Sequence, residues 1–218
     1  MKVDLHVHVH RTSRCAREDI EPMAQKMKEL GITGMVALDH NYQTTKEECS
    51  AVEKAIGGVR IYRGVEVNVC DDDVVIVSDQ TMDFLPPYKS SLTDLDKLQK
   101  WVTETDSLAI LAHPFRWHDI SFDLNRFRPH AVEIASRHVP VINRLKILGV
   151  ARKYGMLLVS TSDAHKSRQL GGFCIDLDNF ATDERGLIKE VKSGKYTLME
   201  RVLSPISGIE RGTDAGVV

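Results

Sequence analysis

The chain has too little of several things to belong to several large protein classes. Its four cysteines, Cys15, Cys49, Cys70 and Cys174, form no CxxC pair. That argues against a disulfide framework and sets a reducing cytoplasm as the expected location. An excess of charge is missing too: 29 Lys and Arg against 31 Asp and Glu leave a net charge of -2. Long nucleic acid and anionic membrane surfaces are therefore poor partners on electrostatic grounds. No apolar run is long enough to span a bilayer, and the opening MKVDLHVH puts histidines where a secretory leader would be apolar. Neither a leader nor a membrane anchor is expected. Low-complexity tracts and internal repeats are also lacking.

What remains is a chain of 218 residues, long enough for one domain with a sizeable core. That domain is expected over residues 1–204. The stretch 205–218, PISGIERGTDAGVV, reads as a polar tail that frays.

Chemistry starts in the string VDLHVHVH. A strand alternates its faces, so His6, His8 and His10 are expected on one side and Val3, Leu5, Val7 and Val9 on the other. Imidazoles buried without partners are costly. Two of them at i and i+2 can chelate a divalent ion.

Short apolar runs then alternate with helical periodicity. Strands are predicted over Val3–Val9, Thr33–Asp39, Arg60–Val69, Val74–Val77, Leu108–Ala112, Ala131–Ile134, Leu157–Thr161 and Phe173–Leu177. Helices are predicted over Ile20–Leu30, Thr45–Ile56, Thr93–Thr103 (capped by Ser91 or Thr93), Val139–Tyr154 and Glu184–Lys192. This alternation predicts an α/β fold with a mostly parallel sheet covered by helices. Ligand-type residues follow nearly every strand at its C-terminal end, which favours a barrel, the architecture that carries chemistry there.

Those strand ends read Asp39-His40, Gly64-Val65-Glu66, Ala112-His113-Pro114, Glu133 to His138, and Ser162-Asp163-Ala164-His165. Together with His6 and His8 they deliver imidazoles and carboxylates to one rim. A centre of His and carboxylate ligands, with no thiolate, suits Zn, Mn or Fe and hydrolytic chemistry. Arg116 and Arg137, each just past a strand end, have the guanidinium fork that grips phosphate. His138 is placed to protonate a leaving group. The loops Asp79–Ser90 and Phe115–Pro129 are expected to form the pocket, with Trp117 as a wall, while Trp101 reads as core and His118 and His130 carry no assigned role.

In this order, HVH, DH, GVE, AHP and SDAH resemble the PHP (polymerase and histidinol phosphatase) family of metal-dependent phosphoesterases. The resemblance runs from Asp4 through His165 to Gly171-Gly172. It implies a distorted (β/α)7 TIM-like barrel with two or three divalent ions at its C-terminal rim. It also implies that His6, His8, Glu66 and Asp163 hold one ion, that Glu66 bridges to a second held by His113, and that His40 and His165 hold a third. Asp73 stands where the family tends to place a second-metal histidine. Between Thr12 and Ala16, where the family supplies a third-metal ligand, there is no carboxylate. His10 is then the nearby residue to complete that shell, or Arg14 fills the space and binds substrate phosphate.

The expected function is hydrolysis of a phosphate ester through a metal-activated water, with a phosphorylated small molecule or nucleotide as substrate. Three alternatives stay open: a nuclease acting on oligonucleotide ends, a non-catalytic PHP scaffold, and an amidohydrolase, whose barrels often pair a first-strand HxH with a metal-bridging lysine. The SDAH and GVE strings favour the phosphoesterase.

Overall fold

The computed structural model describes residues 1–200. The tail expected at 205–218 lies outside the described residues.

Nine strands form one sheet. They are β1 (Lys2–His8), β2 (Gly34–Leu38), β3 (Arg60–Val69), β4 (Asp72–Val77), β5 (Leu108–Leu111), β6 (Ala131–Ala135), β7 (Leu157–Ser160), β8 (Phe173–Leu177) and β9 (Tyr196–Glu200), in the order β7-β6-β5-β4-β3-β2-β1-β8-β9. The helices are α1 (Ile20–Glu29), α2 (Lys46–Ile56), α3 (Leu95–Glu104), α4 (Arg144–Tyr154) and α5 (Glu184–Ser193). The two edges of the sheet approach each other. Tyr196 Oη donates to Leu158 O at 2.9 Å and Ser160 Oγ donates to Met199 O at 2.8 Å, which nearly closes a barrel. None of the described helices is long and apolar enough to cross a membrane.

The sheet is less parallel than the alternation predicts. β1-β2-β3 and β5-β6-β7 are parallel, but β3-β4, β4-β5, β1-β8 and β8-β9 are antiparallel. The reason is local. β3 and β4 are joined by a tight turn in which Cys70 takes φ 58°, so no helix crosses between them and the chain reverses directly.

Each helix boundary has its chemical cause. Thr45 accepts from Glu48 N while the Glu48 side chain accepts from Thr45 N, a reciprocal capping box that starts α2. Asp94, rather than Ser91 or Thr93, caps α3 by accepting from Lys97 N. The predicted helix from Val139 begins later, as a 3-10 turn at Val141–Asn143 after the extended Pro140, and becomes α-helical only at Arg144. It stops at Gly155 in the left-handed region, φ 66°, as read from the sequence.

Inside the barrel, Val3, Leu5, Val36, Leu38, Ile110 and Val159 pack together. Outside β1 and β2, Met35 and Ala37 meet Met23 and Met27 of α1 and Val52 of α2. The alternation predicted for β1 fails in one place. Its register against β2 shifts between Asp4 and Val7. Across that irregularity Val3 and Leu5 belong to the interior cluster, whereas Val7 and Val9 pack under α1. The bulge re-aims the strand, which is how His6 and His8 come to the rim while the valines beside them stay buried against a helix. His10 lies beyond the strand and is exposed.

Candidate metal centre

Glu66 is the hub of the rim. Gly64 lets its strand in: a Cβ at Gly64 would overlap Val36 Cγ1, so β3 passes close against β2. Glu66 N then donates to Asp39 O at 3.1 Å and Asn41 N donates to Glu66 O at 2.8 Å, locking the end of β2 beside it. Glu66 Oε1 lies 3.2 Å from His6 Nε2 and 3.2 Å from His113 Nε2. Glu66 Oε2 lies 3.0 Å from His8 Nε2 and 3.1 Å from His40 Nδ1. One wholly buried carboxylate thus faces imidazoles from the ends of β1, β2 and β5.

Asp163, just past β7, completes the inner ring. Its Oδ1 lies 3.4 Å from His6 Nε2 and 3.3 Å from His8 Nε2, and its Oδ2 bonds His138 Nδ1 and lies 3.9 Å from His113 Nε2. Asp73 Oδ2 approaches His113 Nε2 at 3.8 Å. His165 stacks on His8, ring centroids 4.1 Å apart. His113 and Asp163 both hold positive φ, 25° and 49°. Such backbone is uncommon for residues other than glycine and gathers where the surrounding structure needs a side chain aimed.

Behind this ring stands a second layer. His6 Nδ1 donates to Glu133 Oε1 at 2.7 Å, which leaves Nε2 to face Glu66 and Asp163. Glu133 also accepts from His113 N and from Thr161 Oγ1. Asp4 accepts from His6 N and Ser162 N, tying β1 to the residue before Asp163. Asp39 accepts from Thr12 N, Ser13 N and His40 N, pinning the loop after β1 to the end of β2.

Electrostatics follow from this crowding. Burial opposes charge on His6 and His8, but Asp163, Glu66 and Glu133 around the first, and Glu66 and Asp163 around the second, hold both imidazoles well above their ordinary value. Burial likewise opposes charge on Glu66 and Asp163, yet the surrounding histidines hold both well below the carboxylate range. Burial and the nearby Glu66 push Asp73 up. Burial alone outweighs the hydrogen bonds to Asp4 and pushes it up to about 7.

The donor set fits divalent ions. Glu66 Oε2 and Asp163 Oδ1 are buried with no hydrogen-bond partner although imidazole nitrogens lie close by. A buried anionic oxygen in that position is costly unless a cation meets it. Three groups bring their donor atoms within 4.8 Å of one another: His6, His8 and Asp163; His40, Glu66 and Asp73; and His8, Cys15, His40 and His165.

Of the residues singled out from the sequence, His6, His8, His40, Glu66, Asp73, His113, His138, Asp163 and His165 come together at this rim. Arg116 and Arg137 do not join it among the described residues. Arg116 lies over the Trp117 ring, 4.8 Å from its centroid, and Arg137 is exposed. A cavity of about 430 Å³ opens beside the cluster, lined by His40, Asn68, Asp73, Tyr88 and Lys89 among others. Lys89, on the predicted pocket loop Asp79–Ser90, brings an ammonium group to it.

The fold has relatives among solved structures. PsfC from Pseudomonas syringae superposes with a TM-score of 0.66 at 15% identity, over 92% of each chain. A two-domain protein from Bacteroides vulgatus, containing a predicted PHP-like metal-dependent phosphoesterase, gives a TM-score of 0.63 at 12% identity over 92% of this chain and 64% of that one. Endonuclease Q, bound to a 27-mer duplex substrate with an abasic lesion, gives 0.58 at 15% identity over 88% of this chain and 55% of that one. Among curated proteins none matches. A family model described as PHP-associated matches residues 142–196, a segment holding Asp163 and His165. In the matched segment and in its fold, the chain is similar to PHP-type proteins.

Against the expectations from the sequence, the loop after β1 is the surprise. Neither His10 nor Arg14 enters the space next to His40 and His165; both are exposed. Cys15 does, with its Sγ 3.6 Å from His8 Nδ1. The sequence predicts a centre free of thiol; the structure sets the Cys15 thiol beside three of its histidines. Burial resists its ionisation, but hydrogen bonds with His165, His40 and His8 bring the thiol down to about 4. Asp39 and Glu133 stand among the strand-end residues read from the sequence but carry no individual role there, and Asp4 is absent from that set; each is a charged residue within or ending an apolar strand, which is the available signal.

Proposed function

We propose that this chain is a metal-dependent hydrolase of phosphate esters, acting on a phosphorylated small molecule or nucleotide. The observation that carries the reading is Glu66: one buried carboxylate with both oxygens 3.0 to 3.2 Å from four imidazoles. A carboxylate so placed is suited to bridge two cations. In this reading His6, His8 and Asp163 hold one ion with Glu66, His113 and Asp73 hold a second with Glu66, and His40 and His165 contribute to a third. Zn, Mn and Fe match such donors. The chemistry such ions would supply at these residues is polarisation of phosphoryl oxygens and activation of a water at neutral pH.

The remaining work falls to side chains. Glu133 keeps the His6 Nδ1 proton and so fixes which nitrogen faces the rim. With Asp163 occupying its Nδ1, His138 presents Nε2 to the substrate side, where it can hold the proton a leaving alkoxide needs. Lys89 supplies positive charge in the adjoining cavity for the substrate's phosphate, and Arg116 lies farther out as a second contact.

A nuclease acting on oligonucleotide ends is the second reading, supported by the likeness in fold to Endonuclease Q. The net charge of -2 favours small substrates over long nucleic acid. Chelator-treated protein reloaded with Mn, Zn or Fe and assayed on phosphomonoesters, phosphodiesters and short oligonucleotides tests both. Metal-restored turnover of monoesters supports the first reading and turnover confined to oligonucleotides supports the second. No turnover of any phosphoester with any of the ions overturns both.

A further inference from the structure

Within the rim, one donor differs in kind from all the others. Cys15 sits on the loop between β1 and α1, and that loop is held from several sides. Asp39 accepts from Thr12 N at 2.6 Å and Ser13 N at 2.8 Å, and the Ser13 hydroxyl also bonds it. His10 N donates to Glu18 O at 3.0 Å, and Arg17 N donates to His165 O at 3.1 Å. The thiol therefore does not reach the histidines by a chance rotamer of a free loop; backbone bonds on both sides of it set its place. Cys15 Sγ, with one nitrogen each from His8, His40 and His165, falls in a group whose atoms all lie within 4.8 Å of one another.

The neighbours of this group are already oriented. His165 Nδ1 is 3.0 Å from Asp163 O, which leaves its Nε2 for another partner. His40 turns Nδ1 to Glu66. His8 has Nε2 toward Glu66 and Asp163 and Nδ1 toward Cys15, so it borders both the carboxylate end of the rim and the sulfur end.

We propose that Cys15 is a thiolate ligand, making the ion position at His40 and His165, bordered by His8, a sulfur-containing site selective for zinc-class ions over manganese. The proposal rests on the metal-binding part of the reading above. Its chemical ground is softness. Thiolate with imidazole is the donor set of tetrahedral zinc and cobalt, whereas manganese and magnesium favour carboxylate, carbonyl and water oxygens. The rim then holds two kinds of position. One end offers the oxygens of Glu66, Asp73 and Asp163 with histidines, and the other offers one sulfur with nitrogen donors.

Cobalt(II) serves as the probe because a thiolate bound to it gives an intense near-ultraviolet charge-transfer band, while histidine and carboxylate ligands give only weak visible bands. Metal-free protein is titrated with cobalt as wild type, Cys15→Ser and Cys15→Asp. The near-ultraviolet band is expected in the wild type and lost in both variants, with the visible bands retained in Cys15→Asp. Zinc added to the cobalt-loaded wild type is expected to erase the band, and manganese to leave it. X-ray absorption at the zinc edge of zinc-loaded wild type needs no variant and is expected to show a sulfur neighbour at about 2.3 Å. Visible bands without the near-ultraviolet band, or a zinc shell without sulfur, overturn the thiolate site and leave the metal reading standing. A band that survives in Cys15→Asp assigns the sulfur to another cysteine and also overturns it. No cobalt bands of either kind overturn the metal reading itself.

Discussion

His6 Nδ1 and Glu133 Oε1 meet at 2.7 Å beneath the rim, both fully buried. Glu133 touches none of the substrate-side cavity, yet it decides which face of His6 is available. Glu133→Gln keeps the size of the side chain but replaces an acceptor oxygen with a donor, against His6 Nδ1, His113 N or Thr161 Oγ1. We expect metal affinity to fall by about 10- to 100-fold, the usual loss when a carboxylate behind a metal-binding histidine is removed. Competition against a chromophoric chelator measures it. Unchanged affinity in a folded variant would show that His6 is oriented without Glu133.

Glu66→Ala is expected to abolish hydrolysis more completely than His138→Ala. Removing Glu66 takes away both oxygens that face His6, His8, His40 and His113, so bound metal should fall together with turnover. His138 acts on a proton, and such groups contribute about 10²- to 10⁴-fold, with metal content intact. Turnover and elemental analysis of both variants decide the matter. Equal losses, with the metal of Glu66→Ala undiminished, would remove the bridging role.

The cavity beside the cluster makes a prediction about binding. Lys89→Ala should raise KM for a phosphorylated substrate by about tenfold or more, as expected from losing one hydrogen bond to a charged group, with bound metal unchanged. Arg116→Ala should raise it less, because its guanidinium rests on Trp117 rather than in the cavity. Steady-state kinetics on one monoester separates them. A larger effect at Arg116 would mean that the substrate approaches over Trp117.

Much of this site could be read in advance because its parts sit at strand ends with regular spacing. His6, His8, His40, Glu66, His113, Asp163 and His165 are such parts. Cys15 could not be read that way. It hangs on a loop, and its nearness to His40 and His165 is set by the backbone bonds of Thr12 and Ser13 to Asp39, which no periodicity encodes. Arg116 and Arg137 show the converse: a position just past a strand end does not say where a long side chain goes. In the fold, β9 is not predicted from the sequence because Thr197, Leu198 and Glu200 are exposed, so its segment shows no apolar alternation. The interior–exterior exchange in β1 was hidden for a different reason. A bulge between Asp4 and Val7 leaves the sequence pattern regular while the chain itself changes face.

The last prediction concerns acid stability and lies away from the metal cluster. His130 precedes β6, and its Nδ1 accepts from Ala109 N at 3.2 Å, a bond open only to the neutral ring. Burial, with help from Lys192, lowers its pKa from 6.5 to about 4. The unfolded chain therefore takes up a proton at this position near 6.5 while the folded chain refuses it until about 4. Between those values the unfolded state binds more protons, so stability falls as pH drops through that window and is lost no further below it. Asp4, raised to about 7 by burial, works the other way, since its charged form is disfavoured in the fold as pH rises. A bare pH profile would mix the two. His130→Asn isolates the histidine, because the amide oxygen can accept from Ala109 N and has no proton to gain. The urea midpoint of the wild type should drop more steeply between pH 7 and pH 4 than that of His130→Asn, with the two curves closest near neutrality. Parallel curves across that range would show that His130 titrates in the fold as it does in the unfolded chain.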